Sequence, residues 1–347
     1  MQFGYFGLMG YRDKGTPPQR VFEEHVEQVR HADQLGFEIA WFAEHHFSNY
    51  CICPSPLLMA AHCAGVTESI KLGPAVVVVP LYDPARLLAE IGMVDCLSRG
   101  RLVLGVGSGY QPYEFDRFGK DLADAQGMLT EFLDMMVLAF EQETFSYDGR
   151  HTQLPETHIS ARPVNGLPDI WLAGDNPFGH RLCAQRGYTP MFTGRWLGAD
   201  YQSTMRARIA EMFAAEGRDT DTMPLGVQRF MCVTGSREET LEYADNCRHQ
   251  MRLASALRRR AEVMDGGMMI EQPLPEEIPL EEMAKNLLIG DCETIAERLC
   301  GEIRASGASH YMFHFQVGDS SHAKALATME TFMSEIRPLV ERELEPA

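Results

Sequence analysis

No stretch of this 347-residue chain stays apolar for the roughly twenty residues that a membrane-spanning helix requires; runs such as Ala75–Leu81 stop far short. Basic residues are scarce, 31 Lys and Arg against 49 Asp and Glu, giving a formal net charge of −18. That deficit disfavours a nucleic-acid or anionic-membrane surface, each of which needs a basic patch, and leaves small molecules as the expected partners. The nine cysteines include no Cys-x-x-Cys pair, and the closest two are Cys51 and Cys53. An odd, irregular set of this kind predicts reduced thiols rather than a disulfide framework or a metal site. Residues Met1–Leu8 lack the basic-then-apolar pattern of a secretory signal, so a cytoplasmic location is expected.

Several chemical signatures are missing as well. No H-E-x-x-H, G-x-S-x-G or G-x-x-x-x-G-K-[ST] occurs, which removes the usual marks of zinc hydrolysis, serine acyl transfer and P-loop phosphoryl transfer. Gly7-Leu8-Met9-Gly10 after the first apolar run is not the G-x-G-x-x-G of a dinucleotide-binding sheet.

What is present is an alternation. Strand-like segments are read at Phe3–Leu8, Glu38–Ala43, Ile70–Val79, Arg101–Val106, Asp169–Ala173, Thr189–Thr193, Leu225–Thr234 and Ser309–Gln316. Helical patterns separate them at Val21–Leu35, Pro84–Cys96, Asp124–Phe140, Phe178–Gln185, Asp200–Ala215, Glu238–Val263 and Cys292–Ala305, and Ser321–Glu341 ends the chain. Wholly apolar strands fit a parallel sheet covered on both faces, and eight βα units predict a TIM (β/α)8 barrel. Two connections exceed ordinary loop length, 146–168 and 235–290. The second, an extended insertion before the last strand, carries Arg258-Arg259-Arg260, then Gly266-Gly267-Met268-Met269, then a proline- and acid-rich piece, and is a candidate active-site lid.

In such a barrel the C-terminal strand ends build the site. Those ends carry Glu44, His45 and His46; Gly107 to Tyr110; Gly174, Asp175, Asn176 and Pro177; Arg195 and Trp196; and His314 and Gln316. Histidine suits acid/base work near neutrality, glycines let a flat ligand approach backbone, and the helix start after Asn176 suits an anion, with Arg181 one turn on. The set fits a phosphorylated planar cofactor. Tyr50 and Met268 add apolar surface near the expected mouth.

Several strings, in order, resemble one family. Trp41–Phe47 (W-F-A-E-H-H-F), Lys71–Pro80 followed by Asp83-Pro84-Ala85-Arg86, and Ser98–Tyr110 with Glu114-Phe115 and Phe118-Gly119 lie in the first half. Pro168–Gly174 and Ala305–Tyr311 continue it, and together they resemble the bacterial luciferase-like flavin-dependent monooxygenases nearly end to end. The resemblance implies a single luciferase-like barrel that uses reduced FMN, delivered by a separate flavin reductase, and O2 as co-substrate. It would oxygenate a small organic substrate through a C4a-peroxyflavin. It implies His45 as the acid/base group. It also implies Glu44, Ala75, Val76, Gly107, Ser108, Ala173, Gly174, Asp175, Asn176 and Pro177 at the cofactor, with a non-proline cis peptide at Ala75–Val76. His46, Tyr110, Trp196 and His314 become substrate candidates, and a homodimer the expected assembly. Two other readings stand beside it: an F420-dependent hydride-transfer oxidoreductase on the same barrel, and a non-catalytic partner subunit. Where luciferase has cysteine then arginine this chain has Gly107 and Ser108, so Arg181 or Arg195 would have to supply the cation for the phosphate.

Overall fold

The computed structural model describes residues 1–345 except residue 276, so Glu276 in the acid-rich piece lies outside the described residues. The chain opens with β1 (Gln2–Gly7), α1 (Pro18–Leu35), β2 (Ile39–Phe42), α2 (Pro56–Ala64), β3 (Lys71–Pro74), β4 (Val77–Val78), α3 (Pro84–Ser98) and β5 (Leu104–Gly107). Next come α4 (Pro112–Phe118), α5 (Ala125–Glu141), a hairpin of β6 (Phe145–Asp148) and β7 (Gln153–Thr157), β8 (Ile170–Ala173), α6 (Pro177–Arg186), β9 (Thr189–Thr193), α7 (Ala199–Ala215) and β10 (Gly226–Val233). They are followed by α8 (Arg237–Arg259), a second hairpin of β11 (Val263–Asp265) and β12 (Met268–Ile270), α9 (Leu280–Lys285), β13 (Leu288–Gly290), α10 (Cys292–Ser306) and β14 (His310–His314). The chain then closes with α11 (His322–Thr331) and α12 (Arg337–Leu344), joined by a π-helical turn at Phe332–Ile336.

Parallel pairing runs β3-β2-β1-β14-β10-β9-β8-β5-β4, and a bridge from Leu72 to Leu102 brings the circuit back to its start. The result is the eight-unit barrel expected from the alternation, with β3 and β4 forming one interrupted third strand. The sequence reads that strand as continuous over Ile70–Val79. In the structure β3 pairs with β2 and β4 with β5, and the Ala75–Val76 peptide between them is cis.

Alternation along each strand sorts the side chains. On β2, Ile39 and Trp41 point into the barrel, where they meet Val103, Trp171, Met191 and Met312, while Ala40 and Phe42 join the outer core against the helices. Trp41 and Trp171 lie 5.0 Å apart, and the Trp41 indole N–H donates to His310 Nε2 at 3.0 Å. These three side chains plug the lower barrel. Room for the indoles comes from glycine: a Cβ on Gly73 would stand 2.8 Å from Trp41, and one on Gly226 2.6 Å from Trp171.

Three helices that follow barrel strands start on the same local device, a capping side chain followed by proline at the first helical position. Ser55, Asp83 and Asn176 accept from the N–H groups of Leu58, Arg86 and Gly179, and Pro56, Pro84 and Pro177 follow them. The buried Arg229 of β10 fixes the loop after β9. Its guanidinium donates to the carbonyls of Arg195 and Leu197, both at 2.9 Å, and pairs with the buried Glu302 at 2.7 Å.

The region 235–290 is built rather than open. α8 runs to Arg259 and stops at left-handed Arg260, short of the Val263 expected. β13 pairs parallel with the outer part of β10, Met231 opposite Leu288. The β11–β12 hairpin and the residues beyond it are tied down by charge: Arg12 pairs with Asp245 and Glu271, and Arg252 with Glu271 and Glu277. The other long connection contains the β6–β7 hairpin.

Among the described residues no helix is long and apolar enough to cross a membrane, and all nine cysteines are free.

Burial holds three barrel-side histidines neutral: His25 is pushed down to about 4, and His310 and His314 to about 3. Unfolded, each would titrate near 6.5. As pH falls below that value the unfolded chain takes up protons that the fold refuses, so this contribution to stability is full above it and is lost toward the folded values. Each histidine then adds a slope of up to ~1.4 kcal/mol per pH unit. Urea midpoints measured between about pH 7.5 and 5.0 should fall for the native chain and fall less steeply for His314→Gln. Equal slopes for the two proteins would refute the assignment.

Candidate active site

Strand β2 delivers its last residues to the C-terminal mouth of the barrel, and three consecutive polar residues there part ways. Glu44 turns inward and is buried. One carboxylate oxygen meets His46 Nε2 at 3.0 Å; the other accepts from the Val78 N–H at 3.0 Å and the Tyr82 hydroxyl at 2.9 Å. Loss of solvent raises the Glu44 carboxyl above its ordinary value, against the opposing pull of these hydrogen bonds.

His45 faces a cavity of about 380 Å³. Its Nδ1 lies 3.1 Å from Oε1 of Glu114, a buried residue in the first turn of α4, and the same oxygen accepts the His46 N–H at 2.8 Å. A carboxylate only accepts, so the proton of a neutral His45 resides on Nδ1 and Nε2 carries the free lone pair. Tyr50 packs 4.7 Å from the imidazole, and Tyr110 stands edge-on at 5.9 Å.

The walls come from every side of the mouth. Ala75, Val76, Gly107 and Ser108 form one of them, and Gly107 lies so close to Val76 that a Cβ would approach its methyl to 2.8 Å. Ala173, Gly174, Asp175 and Asn176 line the start of α6, where Arg195 pairs with Asp175. His314 and Gln228 are also cavity-lining. His314 sits between Phe6 and Phe230, with ring centroids 5.6 and 5.4 Å away, and its Nδ1 has no hydrogen-bond partner among the described residues. Gln228 accepts from the Thr193 hydroxyl at 2.7 Å, which leaves its amide nitrogen buried and unpartnered among the described residues. The fourth wall is α8, through Gln250, Met251, Ala254, Ser255 and Arg258.

Most residues expected at the site converge on this one cavity: Glu44, His45, Ala75, Val76, Gly107, Ser108, Tyr110, Ala173, Gly174, Asp175, Asn176, Trp196 and His314. Pro177 and His46 do not line it. Pro177 is exposed and begins α6, where its ring shapes the helix start. The His46 ring turns to Glu44 and packs edge-on against Phe118 at 4.8 Å. Arg181 is exposed and away from the cavity, so of the two cations considered for an anion, Arg195 is the one on the wall. The sequence gives no role to Glu114 or Gln228, and of the α8 wall it singles out only Arg258, as part of the candidate lid. Glu114 lies in a quoted string, but its contact with His45 spans 69 positions and needs the barrel to form.

The description of the luciferase-like monooxygenase family matches residues 1–310. The chain belongs to that family. This luciferase-like monooxygenase is 38% identical over 99% of both chains to the protein y4vJ of Sinorhizobium fredii. It is 26% identical, over 97% of its length and 95% of the other, to the oxygenase component of a flavin-dependent trigonelline monooxygenase of Acinetobacter baylyi. Among the solved structures that share its fold, two are informative. The oxygenating constituent of 3,6-diketocamphane monooxygenase from Pseudomonas putida, in complex with FMN, superposes with a TM-score of 0.79 at 21% identity over 98% of each chain. An F420-dependent secondary alcohol dehydrogenase superposes at 0.76 with 15% identity, again over 98% of each.

Truncating Glu114 to alanine strands the buried His46 N–H and releases the His45 ring. We expect a loss of ~1–3 kcal/mol of stability for Glu114→Ala and less than about 1 for Glu114→Gln, which keeps an acceptor oxygen. Chemical denaturation checks this, and an alanine variant as stable as the native chain would contradict the role given to Glu114.

Proposed function

We propose that this luciferase-like monooxygenase is the oxygenase half of a two-component system, taking reduced FMN from a separate flavin reductase and using O2 to oxygenate a small organic substrate. The observation that carries the reading is His45, held on a ligand-sized cavity by a buried carboxylate, with its second nitrogen free. An imidazole fixed in this way supports an active chain over a non-catalytic partner subunit.

The residues present fit a flavin. Small or thin side chains, Ala75, Gly107, Ala173 and Gly174, leave flat space between the walls, and the cavity volume falls in the range of small-ligand sites. The unpartnered Gln228 amide offers a donor to a ring heteroatom. At the start of α6 Pro177 has no N–H and Asn176 takes that of Gly179, so a phosphate there would rest on the positive end of the helix, the Phe178 N–H and Arg195, which also offsets the charge of Asp175. In reduced form that cofactor supplies the electrons by which O2 delivers one oxygen atom to the substrate and the other to water.

The protein's own contribution is arrangement and proton control. His45 Nε2 accepts or returns a proton at the reacting centre, and Glu114 steadies the imidazolium that forms when it does. Tyr50, Tyr110, Phe6 and Phe230 exclude water from the cavity. Residues 235–290 act as a lid wall through α8, within a chain that works as one unit.

The test is a titration of the chain with FMN, reduced FMN and F420, followed by turnover under labelled O2 with an added reductase and a panel of cyclic compounds. Expected are binding of reduced FMN and one labelled oxygen atom in the product. His45→Ala should lower turnover roughly 10²- to 10⁴-fold while reduced FMN still binds. Tight F420 binding without FMN binding, or full turnover by the alanine variant, would overturn the proposal.

A further inference from the structure

The three arginines that end α8 have different fates. Arg259 donates to the Ser255 hydroxyl at 2.7 Å, and Arg260 pairs with Asp116. Arg258 alone of the three lines the cavity. Its guanidinium carbon stands 4.8 Å from the centre of the Tyr110 ring, and no ion pair involves it among the described residues. Basic residues at a helix C-terminus are accounted for by the helix dipole. The dipole does not account for one of them being turned onto the cavity without a carboxylate, in a chain of net charge −18.

Three further observations give this cation a direction. Tyr110 is held in place: Gln111 Nε2 donates to its hydroxyl at 3.0 Å. The same ring carries Arg258 and, 5.9 Å away, the His45 imidazole, so the guanidinium and the imidazole border one aromatic ring of the cavity wall. Deeper in, with the Gln228 amide given to the flavin, His314 Nδ1 is an unpartnered polar atom, among the described residues, of a buried side chain on the same cavity, between Phe6 and Phe230. The cavity's carboxylates are already engaged: Glu44 by His46, Val78 and Tyr82, Glu114 by His45 and His46, Asp175 by Arg195. A cavity whose carboxylates are each hydrogen-bonded or ion-paired, with one unpaired cation at its exposed side, matches a flat organic anion.

We propose that Arg258 is a specificity-determining residue that recognises the carboxylate of an aromatic organic acid, which makes the substrate class an anionic one. The inference rests on the oxygenase reading of the same cavity. A guanidinium held over Tyr110 with no carboxylate partner keeps its N–H donors for one, and a neutral analogue would lose that charge-assisted contact. Anchoring the acid there directs the rest of the ring toward His45.

The full chain is titrated by calorimetry with benzoate, cinnamate and naphthoate and with the neutral amide of each, without flavin, and separately with FMN. At least one acid should bind about tenfold or more tightly than its amide, with the preference shrinking at high salt. Arg258→Gln should abolish that preference while FMN affinity stays within about twofold, and Arg259→Gln should leave both as they are. Arg258 is exposed, so the variant's fold is not at issue. The proposal is overturned if no acid is preferred, if the preference survives Arg258→Gln, or if that substitution weakens FMN as much as the acid. Failure of the oxygenase reading looks different: the native chain would not bind FMN, whatever the acids do.

Discussion

A carboxylate taken out of water must have its charge answered on every side, and Glu44 meets that demand with one partner from each neighbouring piece of the mouth. Val78 belongs to the second half of the interrupted strand, Tyr82 precedes α3, and His46 lies two residues along the same chain. Satisfying this one group therefore fixes where β2 ends, how the third strand resumes and which way the following residues turn. His45 reaches the cavity because the carboxylate before it and the imidazole after it are committed to each other. Glu114 repeats the logic one layer out, taking the His46 N–H and the His45 ring on a single oxygen.

The barrel was legible because its strands are buried on both faces and read as apolar runs, with helices of ordinary period between them. The capped, proline-led starts of α3 and α6 could be placed to within a few residues for the same reason, since a cap is a local device. Two kinds of feature escaped. Short paired segments such as β6–β7 and β11–β12 are stabilised by their partner strand and carry too few residues for a period to register. Contacts made by topology, Glu114 to His45 above all, have no signature in the neighbouring sequence. α2 is a different case: Ser55-Pro56 announces it as clearly as Asp83-Pro84 announces α3, and the apolar residues after it conform.

The site residues divide along the same line. Those at strand ends, from Glu44 to His314, could be named once the strands were placed, because a barrel sends all its C-terminal ends to one mouth. Pro177 and His46 were named for the same reason and turn out to shape the mouth rather than line it. Of the α8 wall only Arg258 could be singled out, within a candidate lid, since a long connection does not declare which of its faces meets the cavity. Structures at 15% and 21% identity keep the barrel over nearly its whole length, so the fold by itself does not set what the site does.

The fastening of the second hairpin has its own meaning. Barrel and helices cohere by shared apolar area, which dissolved ions scarcely affect. Glu271 and Glu277, beyond β12, are clasped by Arg12 and Arg252 in pairs that solvent can reach. Attraction between such groups fades as the surrounding electrolyte thickens. The enzyme thus has a rigid vessel and, next to its opening, a clasp whose grip depends on the medium it is dissolved in.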